Sequence, residues 1–404
     1  MATTEKNLAE QRVSEQLYNE YLTAKQNQDG DSADFEAILD MLECKRTEKD
    51  YEWMSDVFLP EYPSIHLTEA SQWANQYFQN RDFVEVRLEG SKPEDKARAQ
   101  LVKTYINSSL NRRDLFHFIK YMRIRGVNST RGVSYALCSW TRRYKQAQQP
   151  KLVKREISNP ETGLSEFFDD VEMQETQEIA SDHFDYQPLD PRFVFTDRKY
   201  CYSLQEKQYV ILWDEVSYET LKAEEADKGY FNLDKVKELT APYQTEAKKK
   251  EVETEGEKPS PKPTFKEFDR LVRFGKVWAV VSKPGEDGYP LEIKPGYDQN
   301  GQILEKAELV EAIMEIVFAG GSQVLIRFQP TPYRDSKGTP YRPLVRGLCY
   351  VHPTKDVGMS DGKYSRELQV ALNDTINMSN DRTKLATMPT FKGQENAVVG
   401  NDQI

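Results

Sequence analysis

Apolar residues recur at helical spacing through the first third of the chain and again near its end. Between these stretches they gather into strand-like runs. Leu8, Val13, Leu17 and Tyr18 share one helical face, and Phe35, Ile38, Leu39, Met41 and Leu42 share another. Gln28-Asp-Gly30 lies between them and predicts a break, so two helices are expected over residues 1 to 50. Trp53, Phe58, Tyr62, Trp73, Tyr77 and Phe78 form an aromatic cluster suited to seating the first core contacts. Residues 95–125 read as one or two helices, with Leu101, Tyr105, Leu110, Leu115, Phe118, Ile119 and Met122 apolar. Gly126 and Gly132 then bracket a turn before a strand at 135–144.

The polar, acidic stretch 158–182 predicts a surface loop holding one short helix. Strands are expected at 193–195, 200–203 and 209–214, and helices at 217–227 and 232–240. Trp140, Trp213 and Trp278 each close or interrupt a strand pattern, which predicts largely buried indoles. Residues 243–264 hold almost no apolar side chain and end in Pro-Ser-Pro-Lys-Pro, so a mobile loop is expected there. Beyond it, 274–281, 313–318 and 323–328 read as antiparallel strands, with Gly320-Gly321 as the hairpin between the last two. The pattern is that of an α+β chain of mixed helices and antiparallel strands, without an internal repeat.

The last periodic stretch is the longest. Residues 361–389 read as one helix, capped by Ser360 or Asp361 and stopped by Pro389. Leu368, Leu372 and Ile376 form an apolar row at four-residue spacing, and Asn373, Asn377 and Asn380 or Asp381 form a polar row beside it. Asparagine is a poor helix former, so such a row costs stability unless each side chain finds a partner. One apolar and one amide-rich face suit packing among copies of the helix around a wet lumen, with the polar row meeting water or a neighbouring copy. The competing reading is an ordinary amphipathic surface helix.

Composition adds bounds. A chain of 404 residues exceeds what one compact core usually serves, so two or more subdomains are expected. The formal net charge of −11 argues against a general nucleic-acid binder, but suits a wall past which DNA slides without sticking. The 4 cysteines, Cys44, Cys138, Cys201 and Cys349, are far apart and suit a reducing compartment. No apolar run approaches the roughly 18 residues of a membrane span.

Chemical motifs are largely absent. There is no Gly-x-x-x-x-Gly-Lys-Ser/Thr loop for nucleotide phosphates. The 4 histidines, His66, His117, His183 and His352, are isolated from one another and from cysteine, so no zinc site is implied. His117, between Phe116 and Phe118, reads as a helix residue near the core. The run from Asn27 to Ser32 imitates a calcium loop, but it has Ser32 where glycine is required and Ile38 where a carboxylate is required. Asp169, Asp170 and Glu172 read as a solvated acidic face. Arg112, Arg113, Lys120, Arg123, Arg125 and Arg131, followed by Arg142, Arg143 and Lys145, are weighed as contacts to nucleic acid or to an acidic neighbouring subunit. A solvated, ion-paired surface is the favoured reading. No cofactor is implied.

Three ordered matches bring in a family. Pro332-Tyr-Arg334 and Pro340-Tyr-Arg-Pro343 lead through Gly358 into Leu368-Gln, Asn373-Asp, Asn380-Asp-Arg and Met388-Pro389. Upstream stand Asp190-Pro-Arg-Phe-Val-Phe-Thr-Asp197, then Ser203, Glu206, Trp213 and Ser217-Tyr-Glu-Thr-Leu-Lys222. Further upstream is Arg131-Gly-Val-Ser-Tyr-Ala-Leu-Cys-Ser-Trp140. The set resembles the bacteriophage portal proteins, the head–tail connectors of tailed phages, and most closely the short-tailed kind.

The resemblance implies an α+β wing domain over 1–360, including the 243–264 loop, and a first stem helix over 361–389. It implies the start of a clip region at 390–404, in a chain expected to continue further. It implies a homo-oligomeric ring, dodecameric in the family, at one capsid vertex of the virion and in the host cytoplasm during assembly. The ring would be the channel for DNA packaging and ejection. Its partners would be the terminase large subunit, capsid and scaffolding proteins, a tail adaptor, and double-stranded DNA passing without sequence specificity. Leu368, Leu372, Asn373, Ile376, Asn377, Asp381 and Lys384 would then lie at the subunit interface or channel, with no catalytic or metal-binding residue. The alternative is a non-enzymatic head–tail adaptor or other soluble interaction protein.

Overall fold

The computed structural model describes residues 2–45, 54–80, 82–86, 93–111, 114–158, 165–197, 200–201, 203–239, 267–284, 289–297, 302–319, 321–335 and 338–387. The 243–264 loop, Pro389 and residues 390–404 lie outside these. The helices are α1 (Ala2–Leu42), α2 (Glu61–Phe78), α3 (Pro93–Asn111), α4 (Asp114–Arg131), α5 (Tyr218–Lys228), α6 (Leu233–Glu238) and α7 (Asp361–Thr387). The strands are β1 (Val133–Ser158), β2 (Ser165–Leu189), β3 (Val194–Thr196), β4 (Tyr209–Ser217), β5 (Glu267–Pro284), β6 (Pro290–Pro295), β7 (Glu308–Ala319), β8 (Ser322–Pro330) and β9 (Leu344–Leu348). The fold is α+β.

The chain forms two compact units, one of Met1–Asn75, Met122–Tyr135 and Leu189–Ile404, the other of Gln76–Tyr121 and Ala136–Pro188. The first is built on an antiparallel sheet in the order β3-β4-β5-β7-β8, with β6 paired to β5. β7 reads as a nearly continuous apolar run because both of its faces are covered. Ala312, Met314, Ile316 and Phe318 face Val13, Leu17, Tyr21 and Ala24 of α1. Val317 and Ala319 face the other way, towards Leu221 of α5 and Leu233 and Val236 of α6. Leu17, Ile211, Leu271 and Ile316 are wholly buried, each worth about 1.5–3 kcal/mol on transfer from water.

Charges buried in this sheet are paired. Glu315 receives Arg327 at 2.7 Å and the Tyr230 hydroxyl at 2.9 Å. Arg273 donates to Glu20 at 2.6 Å, fixing α1 against the sheet.

Some expectations need correcting. α1 runs unbroken through Gln28-Asp-Gly30. A glycine inside a helix costs only about 1 kcal/mol, and packing on either side outweighs that. Val13, Leu17 and Tyr21 are held on the sheet before it, while Phe35 and Ile38 are buried after it. Gln28 Nε2 also donates to the Pro191 carbonyl at 2.6 Å.

The 158–182 stretch is not a loop with a short helix. β1 and β2 occupy it apart from 159–164, which lie outside the described residues, and β1 pairs with β9 on one side and β2 on the other. Nothing strand-like forms at 200–201, and a short 3-10 helix, Leu204–Glu206, follows. Gly126 lies within α4, and the turn is made by Gly132 alone. There φ is +84°, and a Cβ would fall 2.2 Å from the Gly358 carbonyl oxygen. The strands at 209–214, 313–318 and 323–328, and the helices at 217–227 and 232–240, are present within slightly different bounds, and 274–281 lies within the longer β5.

The second unit has an aromatic interior. Tyr77 stacks on Tyr121 at 4.1 Å, and Phe78, Phe83 and His117 pack edge-to-face around them. His117 is buried, with Nδ1 2.6 Å from the Tyr186 hydroxyl, the core position expected for it. Lys120 pairs with Asp185 at 2.6 Å. Trp140 is 52% exposed, against expectation, because it lies flat on the exposed ring of Tyr105 while its Nε1 bonds to Asp182. In the first unit Trp278 is also partly exposed at 36%, and Trp213 is packed against the main core beside Phe193.

Candidate functional site

The 27 residues of α7 make a rod about 40 Å long. Its start is fixed by Ser360, whose Oγ accepts the Lys363 amide at 3.0 Å. Gly362 follows because the first turn is pressed against other elements: a Cβ there would sit 2.6 Å from Ile38 Cγ2 and 2.8 Å from the Tyr62 hydroxyl. Asp34 of α1 then holds Lys363 at 3.2 Å and Arg366 at 3.0 Å, which keeps its carboxyl below the usual range.

The polar row of α7 finds partners within the chain itself. Gln369, Asn373, Asn377 and Asp381 accept the backbone N–H groups of Tyr62, Leu59, Val57 and Ser55 at 3.0, 3.1, 2.8 and 2.6 Å. Gln369 and Asn377 also donate back to the carbonyls of Leu59 and Val57, at 2.6 and 3.2 Å. The two elements run antiparallel. The match is geometric: residues four apart on a helix rise about 6.0 Å, and alternate residues of an extended chain rise about 6.6 Å. Asn373, Asn377 and Asp381 therefore meet Leu59, Val57 and Ser55, every second residue of the extended segment, and serve them as a neighbouring strand would, while Gln369 reaches the first turn of α2. Asp381 makes the charge-assisted bond, and Lys384 stands 3.8 Å from its carboxylate.

The apolar row winds around the helix instead of lying along one line. A row at four-residue spacing rotates about 40° per step around the helix. Leu368 is accordingly 74% exposed, while Leu372 and Ile376, one and two steps on, are half-buried. A different set of residues stays on the outer face. Tyr364, Leu368, Ala371, Thr375, Met378, Arg382 and Leu385 follow one another at alternating steps of four and three, the heptad spacing of a helix seam. All are exposed, with Met378 at 70%, Tyr364 at 56% and Leu385 at 52%. The seam was readable in the sequence from its heptad period, which reading the four-residue row alone overlooks.

At the foot of α7 several titratable side chains meet. Ser129 Oγ is 3.1 Å from Asp361 Oδ2 and 3.5 Å from Glu69 Oε2, and Cys349 Sγ is 3.5 Å from the same Asp361 oxygen. Burial and Asp361 push the Cys349 thiol up to about 11, so it stays protonated and a poor nucleophile. Burial holds the His66 imidazole below its ordinary value. Among the described residues no group of three or more His, Cys, Asp or Glu is arranged to hold a metal ion. The side chains of Asp169, Asp170 and Glu172 lie outside the described residues.

A cavity of about 830 Å³ opens beside α1 and the 352–360 segment, lined in part by Phe35, Arg131, Tyr135 and His352. Its acidic groups are already engaged, Asp34 by Lys363 and Arg366, and Asp197 and Asp356 by the buried Lys207 at 3.2 and 2.7 Å. Of the basic residues weighed above, Arg125 lies over Trp73 at 4.8 Å and Arg131 over Phe35 at 5.2 Å, both facing inward. Among the described residues no helix is long and apolar enough to cross a membrane. No model of a known protein family matches the chain, and no curated protein matches it.

Proposed function

We propose that this chain is a bacteriophage portal subunit, and that α7 is the stem helix through which copies of it close a ring around a DNA channel. The observation that supports the reading best is the exposed heptad seam of α7. A helix tied along one side to its own chain by four side chains, and exposed and mostly apolar along the other, is built to meet further helices. Identical copies offer the simplest partner, because a heterologous contact repeated by rotation closes into a ring. Leu372 and Ile376 then lie at the seam's edge. Asn373, Asn377 and Asp381 hold the helix in place instead of facing the lumen.

In this reading the ring occupies one capsid vertex, passes double-stranded DNA in both directions, and receives the packaging motor first and the tail later. The net charge of −11 favours passage over adhesion, since affinity for duplex comes mainly from Lys and Arg on phosphates. The chain carries structure and no catalysis. The second reading, a head–tail adaptor that binds other proteins without closing a ring, draws on Leu101, Leu115 and Phe116, exposed at 72, 68 and 66% in the second unit. Negative-stain electron microscopy of the purified protein separates the two. Annuli with a central hole are expected of a portal subunit, and single particles without a hole at assembly concentrations would favour the adaptor.

A further inference from the structure

The serine between Glu69 and Asp361 poses a problem of valence. A hydroxyl has one proton to donate, and Ser129 is buried with a carboxylate on either side, at 3.1 and 3.5 Å. It can donate to Asp361, the nearer. For Glu69 also to bond to the same oxygen, its carboxyl must be the donor, and so must carry a proton. Without that proton two like charges from two helices face each other across a single hydroxyl. We propose that Glu69 and Asp361 share one proton through Ser129, and that this proton latches α2 and α4 to the first turn of α7.

The surroundings favour the shared proton. From α2, Tyr62 is 98% buried by its 2% exposure, and its hydroxyl, set against Gly362, has no hydrogen-bond partner. Burial lowers the His66 imidazole, on the same helix, against the opposite pull of Asp361. From α4, Arg125 is the cation that opposes the proton, but its guanidinium is drawn over the Trp73 ring at 4.8 Å. From the segment after β9 come the Cys349 thiol, raised by burial and then by Asp361, and the Tyr350 phenol, raised first by Asp361. Burial first, and Asp361 next, raise the Glu69 carboxyl above its ordinary value, against the smaller pull of Ser129 and Arg125.

The consequence follows by linkage. An acid whose pKa is raised on folding stabilises the fold fully below its unfolded pKa, and that stability is lost as pH rises through the folded value. The window therefore starts at the ordinary glutamate range and extends upward from it. Opening the latch releases α2 next to Tyr62, the residue at which the α7 amide row begins. The latch concerns the single chain and does not depend on ring closure.

The test is thermal unfolding of the whole chain from pH 5 to pH 8, with hydrogen exchange at the Leu59 and Tyr62 amides corrected for its intrinsic pH dependence. Glu69→Gln keeps the donor and removes the charge. The wild type should lose melting temperature across the window and several-fold protection at both amides. Glu69→Gln should lose much less of either and should melt higher than the wild type at pH 8. A variant that tracks the wild type across the window, or melts below it at pH 8, overturns the latch. Ser129→Ala gives a second reading: its loss should be larger at pH 5 than at pH 8, and equal losses at both contradict the shared proton.

Discussion

Asn373 and Asn377 each do what a strand neighbour would do for Leu59 and Val57, and removing them exposes what that is worth. Asn377→Leu leaves the Val57 N–H and carbonyl without their partner, and Asn373→Leu leaves the Leu59 N–H. An unsatisfied backbone group costs about 1–3 kcal/mol where water cannot reach it, and less at the partly exposed Val57. Denaturant unfolding should show a loss near 1 kcal/mol for each variant, with faster hydrogen exchange confined to 55–62. Unchanged exchange there would mean that the amide row does not hold the segment. Gly362→Ala tests the foot of the same helix. Its methyl would press on Ile38 and the Tyr62 hydroxyl, and a loss of about 1–3 kcal/mol is expected.

Asp356 carries an acid-sensitive contact. Burial alone would raise its carboxyl, but Lys207 and Arg346 at 2.7 Å each outweigh it and hold the carboxyl below its ordinary value of 3.8. A depressed carboxyl stabilises above its unfolded pKa, and that stability is lost as pH falls through the folded value. Asp356→Asn should therefore destabilise the protein at pH 7 and flatten its stability profile below about pH 4. A profile as steep as the wild type's would remove Asp356 from the account.

At the scale of elements, the runs that face core on both sides were legible and the contacts to backbone were not. β5, β7 and β8 announce themselves by apolar density, as at Ile313, Met314, Ile316 and Val317. The amide row of α7 could be seen in the sequence, but its partner could not. Asn373 binds the main chain of Leu59, and every residue presents the same N–H and C=O, so nothing in the identities of 54–59 marks them. The start of β1 was legible as the strand at 135–144, but β2 was missed because the polar 158–182 stretch lacks alternation, yet β2 satisfies its backbone on β1. The glycine at position 30 misled in the opposite direction. Because α1 is continuous there, Gly30→Ala should raise stability by about 0.5–1 kcal/mol, measured by thermal unfolding. A loss instead would mean that the helix bends at this glycine. Ala371→Pro should cost about 3 kcal/mol or more by breaking α7 and parting its amide row from 55–59.

At the scale of the molecule, the α+β class was readable from spacing alone, and the outward seam of α7 is what the proposed portal function rests on. Leu368 and Met378 face solvent on the outer side of α7, so changing them should leave the chain's own stability within about 0.5 kcal/mol. The direct measurement is a paired one on Leu368→Asp with Met378→Asp: ring counts by negative-stain microscopy, and melting of the same preparation at a concentration too low for association. The portal reading predicts rings from the wild type, none from the double variant, and matching melting curves. Rings of normal number from the double variant, with the melting curve unchanged, would contradict it.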